Sequence, residues 1–131
     1  MSTHPPTYLA RSPVRGAMQL GLFECTPETD LPSVARLMAE KTIHCVVVAG
    51  DGWGIVSDLD LMRALGPGYE ELTAGDIAAT DFVIVKPDDS IEHAAQLMAE
   101  HDSAHLMVAS PETGRPIGIV STLDIARVLA L

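Results

Sequence analysis

Two serine–aspartate pairs, Ser57 with Asp60 and Ser121 with Asp124, carry the chemistry this sequence offers. Each pair stands in a repeated run, GIVSDLD at 54–60 and GIVSTLD at 118–124, just before an apolar segment. A serine three residues ahead of an acid at a helix start is the pattern of a capping box. The hydroxyl accepts a first-turn N–H, and the acid accepts the serine's own N–H. Glu or Gln usually fills the last place of such a box, but a shorter Asp still suits the positive end of a helix. The same residues also suit a sharper purpose. Free N–H groups and the helix dipole favour an anion at this end. A hydroxyl has one donor and two lone pairs, so it can cap the helix and still donate to a phosphate oxygen; an ionised carboxylate only accepts, and a ribose diol offers it two donors. Gly54 and Gly118 leave room for a flat ring against the backbone. Taken alone, Ser-x-x-Asp favours capping. Its repetition as Gly-h-h-Ser-x-x-Asp, with h apolar, in a duplicated frame is far more specific.

Other chemistries find less support. His101 and His105 have the spacing of a helical metal pair, but Asp102-Ser103-Ala104 reads as a helix-to-strand loop, so the imidazoles do not share a helix face. His93 falls on a helix exterior. Cys25 and Cys45 lack metal or redox spacing and read as structural thiols in apolar surroundings. Met18, Met38, Met62, Met98 and Met107 fall mostly on apolar stripes and read as core filler. No Ser-His-Asp, Cys-His or paired-carboxylate constellation follows from the spacing, so catalysis is not expected.

The elements that must position the two pairs come in duplicate. Pro27 falls on Pro87, Leu31 on Ile91, LMAE at 37–40 on LMAE at 97–100, and Val48 on Val108. The second copy then carries a longer loop, SPETGRPI at 110–117 against GDGW at 50–53, before register resumes at Gly54 and Gly118. Such self-similarity is a fold-level signal. In each copy a short strand (LFEC, FVIV) stops at a proline. A helix follows, with Asp30 or Ser90 as its N-cap. Leu31, Val34, Ala35 and Met38, and in the second copy Ile91, Ala94, Ala95 and Met98, give that helix an apolar stripe. A β-rich run (CVVV, HLMV) turns into Gly-Ile-Val as a hairpin. A last helix carries LDLMRAL at 59–65 or LDIARVLAL at 123–131. The order is β-α-β-β-α, twice.

The expected division is a flexible tail over 1–12, repeat 1 over 13–66, a linker over 67–72 and repeat 2 over 73–131. With 131 residues and 47% hydrophobic content the chain can bury a core, and 4% aromatics make that core aliphatic. A repeat of roughly 60 residues is marginal alone. The repeats are therefore expected to pack sheet to sheet about a pseudo-two-fold axis, an α/β (α+β) fold with two equivalent clefts.

A formal charge of −10 opposes phosphate backbones and anionic lipid, so neither nucleic acid nor membrane is an expected partner. The N-terminal stretch has no long apolar region and no run has the length of a membrane span, which predicts a cytoplasmic protein. Leu61, Leu65, Ile125, Val128 and Leu129 exceed the needs of one small core and point to a homodimer.

These features resemble a tandem pair of CBS (cystathionine-β-synthase) domains, a Bateman module. The resemblance runs from about Val14 to Leu131 and rests on LMAEKTIHCVVV and LMAEHDSAHLMV, on the two Ser-x-x-Asp runs, and on the lead-in segments PVRGAM at 13–18 and TAGDIA at 73–78. It implies two β-α-β-β-α units, often dimerised, that bind adenosyl ligands as regulatory signals: AMP, ADP, ATP, S-adenosylmethionine or NAD-like molecules, with no cofactor required. Carried over by position, Asp60 and Asp124 hold ribose hydroxyls, and Ser57 and Ser121 meet phosphate. Backbone at Thr26 and Lys86 contacts the base, helped by His44–Val46 and Ala104–Leu106, which include Cys45 and His105. Arg63 and Arg127 lie one turn beyond each acid and read first as ion-pair partners of it. Thr122 is neutral where Asp58 is charged, and Lys86 replaces Thr26. Charge alone therefore favours an anionic ligand at the second pair and a low-charge ligand, AMP or S-adenosylmethionine, over ATP. The expected role is a stand-alone, energy-sensing module that signals to a separate, unidentified protein. The alternative is an assembly module with empty clefts.

Overall fold

The computed structural model describes residues 10–130; the first nine residues of the expected 1–12 tail, and Leu131, lie outside the described residues. The chain forms two compact units whose membership does not follow the repeats. One unit comprises residues 23–82. The other joins residues 83–130 to the segment ahead of residue 23.

The unit of residues 23–82 holds a three-stranded sheet in the order β2-β3-β4, with β2 Glu24–Cys25, β3 Cys45–Ala49 and β4 Trp53–Ser57. β2 runs parallel to β3, and β3 and β4 form the expected hairpin, with Cys45 opposite Ser57 and Val48 opposite Gly54. Helix α1 (Leu31–Lys41) connects β2 to β3, and α2 (Asp58–Ala64) follows β4. A single 3-10 turn over Tyr69–Glu71 and a short helix α3 (Ala74–Ile77) occupy the stretch read as linker and lead-in. The other unit repeats the plan with β5 Ile84–Val85, α4 Ile91–His101, β6 His105–Ala109, β7 Pro116–Ser121 and α5 Thr122–Leu129. Its sheet has a fourth strand absent from the sequence reading, β1 (Gln19–Leu20), giving the order β1-β7-β6-β5.

The helices start where the caps dictate. The Ser33 N–H donates to the Asp30 carboxylate at 2.8 Å, and the His93 N–H donates to the Ser90 hydroxyl at 3.0 Å. Each helix ends on a left-handed residue, Thr42 (φ 53°) or Asp102 (φ 49°), whose N–H closes on the carbonyl of Met38 or Met98. His101 ends α4 and His105 begins β6, so the pair shares no helix face. Leu31, Val34, Met38, Val46, Val48, Val56, Leu61 and Ala74 form one core, and Val14, Val85, Ile91, Ala94, Met98, Leu106, Val108, Val120 and Ile125 form the other. Both are aliphatic, as the composition requires. Leu61 and Ile125 are thus core residues rather than surplus surface, because each is the inward position of the first turn of its helix; Leu65 and Leu129 are exposed. Met62, read with the apolar stripes, is exposed as well.

Each unit is completed by a lead-in segment that precedes the other repeat in sequence. The Val14 and Arg15 N–H groups donate to the carbonyls of Asp89 and Pro87, and the Ile91 N–H donates to that of Ser12. In the unit of residues 23–82, Ala74 and Gly75 donate to Thr29 and Pro27, and Leu31 donates to Leu72. Further along, Gln19 pairs with Ile119 and Ala79 with Ile55. The glycines of the repeated motif make this possible. A Cβ at Gly118 would lie 2.8 Å from the Gln19 carbonyl oxygen and 3.3 Å from the Met18 thioether; one at Gly54 would lie 3.0 Å from the Ala78 Cβ and 3.4 Å from the Ala79 carbonyl oxygen. The space that the sequence reading assigned to a ligand ring is filled by the chain's own lead-in segment.

Two outcomes follow. Gly118→Ala pushes a methyl into backbone and should cost about 1–3 kcal/mol, more than Gly54→Ala, whose contacts are longer; urea midpoints at unchanged slope measure both. The Asp30 carboxyl is held below its ordinary value by hydrogen bonds from Ser33, hydroxyl first and backbone N–H second. A depressed carboxyl stabilises the fold above its unfolded pKa and loses that contribution as pH falls through the folded value. Asp30→Ser, which installs the cap residue used by the other unit, should therefore flatten the acid limb of the stability curve below about pH 4 while leaving neutral stability nearly unchanged.

Candidate functional site

Both Ser-x-x-Asp runs sit at a strand-to-helix junction, and both form a reciprocal capping box. At α2 the Asp60 N–H donates to the Ser57 hydroxyl oxygen at 3.1 Å, and the Ser57 N–H donates to Asp60 Oδ2 at 2.9 Å. At α5 the matching distances are 3.2 Å from the Asp124 N–H to Ser121 Oγ and 2.8 Å from the Ser121 N–H to Asp124 Oδ2. The box therefore engages one carboxylate oxygen and one hydroxyl lone pair in each case. It leaves the other carboxylate oxygen, Oδ1, and the hydroxyl proton for further bonding.

The preceding strands bring several of the other candidate residues to the same place. Cys45 is the register partner of Ser57, and the Asp58 N–H donates to the His44 carbonyl at 2.9 Å. His105 is the register partner of Ser121, and the Thr122 N–H donates to the Ala104 carbonyl at 3.0 Å. Within the unit of residues 23–82, His44, Cys45, Ser57 and Asp60 thus form one cluster. In the other unit Ala104, His105, Ser121, Thr122 and Asp124 form its counterpart, with Arg127 one turn down the helix. Thr26 and Lys86 are elsewhere in their units. Cys25 pairs with Val48 and Val85 with Val108, so each chain leaves its strand at the far end of β3 or β6 from Cys45 or His105. Their N–H groups turn back locally, Thr26 to the Thr29 hydroxyl and Lys86 to the Asp89 carboxylate.

Charge at the two clusters differs. Asp58, the negative charge beside the first pair, has a partner: its Oδ2 lies 2.9 Å from His44 Nδ1. Neither Thr122 nor Ala104 can form such a pair. The Cys45 thiol is pushed up to about 12 by burial first, and then by the negative charges of Asp60 and Asp58. It is neutral, non-nucleophilic packing. Burial also raises the Cys25 thiol, opposed by its hydrogen bond to Thr29. Arg63 and Arg127 do approach their acids, at 3.8 Å from Asp60 Oδ1 and 3.6 Å from Asp124 Oδ1. Both guanidinium groups are largely exposed, so these pairs are weak.

The largest difference involves a residue absent from the sequence reading. Gln19 Nε2 donates to Asp124 Oδ1 at 2.9 Å, and Asp124 is only 4% exposed. Ala79 stands in the corresponding position beside Ile55, and the Asp60 side chain keeps 25% exposure. The signal was present in the lead-in segments: continuing PVRGAM and TAGDIA by one residue places a glutamine against an alanine. Ala104 and Thr122 also line an open, mostly apolar groove of about 460 Å³ between α4 and α5, with Met98, Ile125 and Leu129. Neither Ser121 nor Asp124 lines it. Among the described residues no group of three or more His, Cys, Asp or Glu is placed to hold a metal ion, and no helix is long and apolar enough to cross a membrane.

Comparisons with known proteins identify the family and the fold. The CBS domain family profile matches residues 11–67 and 74–131. Hypoxic response protein 1 of Mycobacterium tuberculosis is 30% identical over 119 residues, covering 86% of this chain and 82% of that protein. Homoserine O-acetyltransferase of Methanosarcina acetivorans is 28% identical over 123 residues, but the chain spans only 22% of that enzyme's length. Among solved structures, the CBS domain pair of protein MJ0100 in complex with 5′-methylthioadenosine and S-adenosyl-L-methionine superposes with a TM-score of 0.81 at 18% identity, covering 91% of this chain and 96% of that one. CBSX2 in complex with AMP gives 0.75 at 24% identity, covering 90% and 96%. At such identities the structural likeness establishes the fold. With two family matches covering nearly all of its length and two units of one β-α-β-β-α plan, this chain belongs to the CBS domain family as a tandem pair.

Proposed function

We propose that this chain is a regulatory module that binds an adenosine-bearing ligand of low charge, AMP or S-adenosylmethionine in class, and passes the binding event to a separate protein. The observation that carries the reading is the capping box formed by Ser57 and Asp60. Because Oδ2 is fixed by the serine N–H, Oδ1 is held in a set direction beside a helix N-terminus, as an acceptor for a sugar hydroxyl. The serine hydroxyl keeps a proton to donate to a phosphate or carboxylate oxygen. Relatives of the same fold hold AMP, methylthioadenosine and S-adenosylmethionine, which supports the ligand class. A net charge of −10 disfavours the more highly charged ATP.

Candidate base contacts are the backbone at Thr26 and Lys86 and the strand starts His44–Cys45 and Ala104–His105. A binding rather than catalytic role fits the neutral thiol at Cys45. A second reading, an assembly module, draws on Leu59, Met62, Leu65, Leu123 and Leu129, all at least 43% exposed on α2 and α5. A homodimer through these helices is compatible with either reading.

A thermal-shift and calorimetric panel of AMP, ADP, ATP, S-adenosylmethionine and NAD separates the two. A true ligand at a hundred times its dissociation constant should add about 2.7 kcal/mol of stability. Asp60→Asn keeps a capping acceptor but loses the charge, and should weaken binding about tenfold or more. No stabilisation by any of the five would select the assembly module.

A further inference from the structure

We infer that Gln19 seals the second carboxylate, so that Asp60 is the acid that takes the ligand's hydroxyls while Asp124 is held as part of the fold. The inference rests on the adenosyl-binding reading for its ligand, but the seal itself is a property of the empty protein.

Both carboxylate oxygens of Asp124 already accept a hydrogen bond. Oδ2 accepts the Ser121 N–H at 2.8 Å. Oδ1 accepts Gln19 Nε2 at 2.9 Å and faces Arg127 Nη1 at 3.6 Å. With 4% exposure the carboxylate lies behind these donors. A ligand could reach it only by breaking a charge-assisted hydrogen bond and leaving the Gln19 amide to find a new partner. Asp60 shares the serine bond at Oδ2 but lacks the amide: Oδ1 has only the distant Arg63 at 3.8 Å, and a quarter of the side chain is open to solvent.

The cause lies in the lead-in segments. Gln19 pairs with Ile119 in β1, two residues before Ser121 in β7, and its side chain spans the remaining distance to the helix start. Ala79 occupies the same place beside Ile55, two residues before Ser57, and its methyl ends short of any carboxylate. The two lead-in backbones dock alike, and one side chain distinguishes the sites. Charge works in the opposite direction, since Thr122 replaces Asp58. However, the His44 imidazole hydrogen-bonds Asp58, and an open acid accepts a neutral diol better than a covered one.

Carboxyl labelling with a water-soluble carbodiimide and an amine, read by mass spectrometry, tests the seal without ligand. Asp60 should label about tenfold faster than Asp124, as expected for an open carboxylate against one bonded and covered. Gln19→Ala should bring the two rates within about threefold, and Ala79→Gln should slow Asp60. Equal labelling in the unmodified protein, or an Asp124 that stays protected in a folded Gln19→Ala variant, would overturn the inference.

AMP calorimetry then separates it from the functional reading. One equivalent should bind, weakened about tenfold by Asp60→Asn, with a second equivalent gained in Gln19→Ala. Two equivalents lost equally with either acid would discard the seal and keep the adenosyl reading. No AMP binding alongside the expected labelling pattern would discard that reading and keep the seal.

Discussion

The structure depends on one close approach: a lead-in backbone laid against the glycine of a hairpin strand. A unit of about 60 residues buries too little surface to be secure alone. Each unit here gains a core residue from its lead-in, Val14 in one and Ala74 in the other, both fully buried. It also gains backbone pairing through Gln19 or Ala79. A side chain on Gly118 or Gly54 would press on the lead-in at the point of that pairing. These glycines come two residues before Val120 and Val56, fully buried residues of the same strands. The same short stretch of strand therefore closes the core and, one residue further on, starts the capping box.

That closeness links stability to recognition. The capping serine and aspartate are held by the helix they start, and the strand bearing the serine is held by the lead-in segment. Movement of β1 against β7 would carry Gln19 with it and alter Asp124. A lead-in is the natural place to couple a site to the rest of a chain, because the segment that completes one unit belongs in sequence to the other repeat. A ligand shifts such an arrangement only through its different affinity for two states, and a covered or open carboxylate is a difference of that kind.

Much of this was legible in the sequence. The helices α1 and α4, their caps at Asp30 and Ser90, the two hairpins and the duplicated β-α-β-β-α order all rest on local signals: periodicity, a capping side chain, a turn. The capping boxes were legible for the same reason. Membership of the units was not, because β1 and β5 are only two residues long and carry no period, and because the partners of the lead-in segments lie far along the chain. The role of the glycines was read as room for a ring, since a glycine in a strand says only that something approaches closely. The lead-in segments set Gln19 against Ala79, but not what it bonds: its acceptor is 105 residues away, and only coordinates bring an amide to that carboxylate.

The duplication therefore hides an inequality. Two identical Ser-x-x-Asp motifs in two copies of one plan invite the expectation of two equal sites, yet a carboxylate is defined by what bonds to its oxygens rather than by its neighbours in sequence. At α2 the acid has one firm donor, a partly open face and a histidine–aspartate pair beside it. At α5 the acid has two firm donors, a distant guanidinium and almost no exposed surface. A buried carboxylate with a bond to each oxygen stabilises the junction it caps, because removing either donor would leave charge unsatisfied in a poorly hydrated place. An acid with an unclaimed oxygen at the surface gains less from the fold and has more to offer a ligand. A glutamine where the other repeat has alanine is enough to make one inherited motif a covered fastening and to leave the other with an open acid.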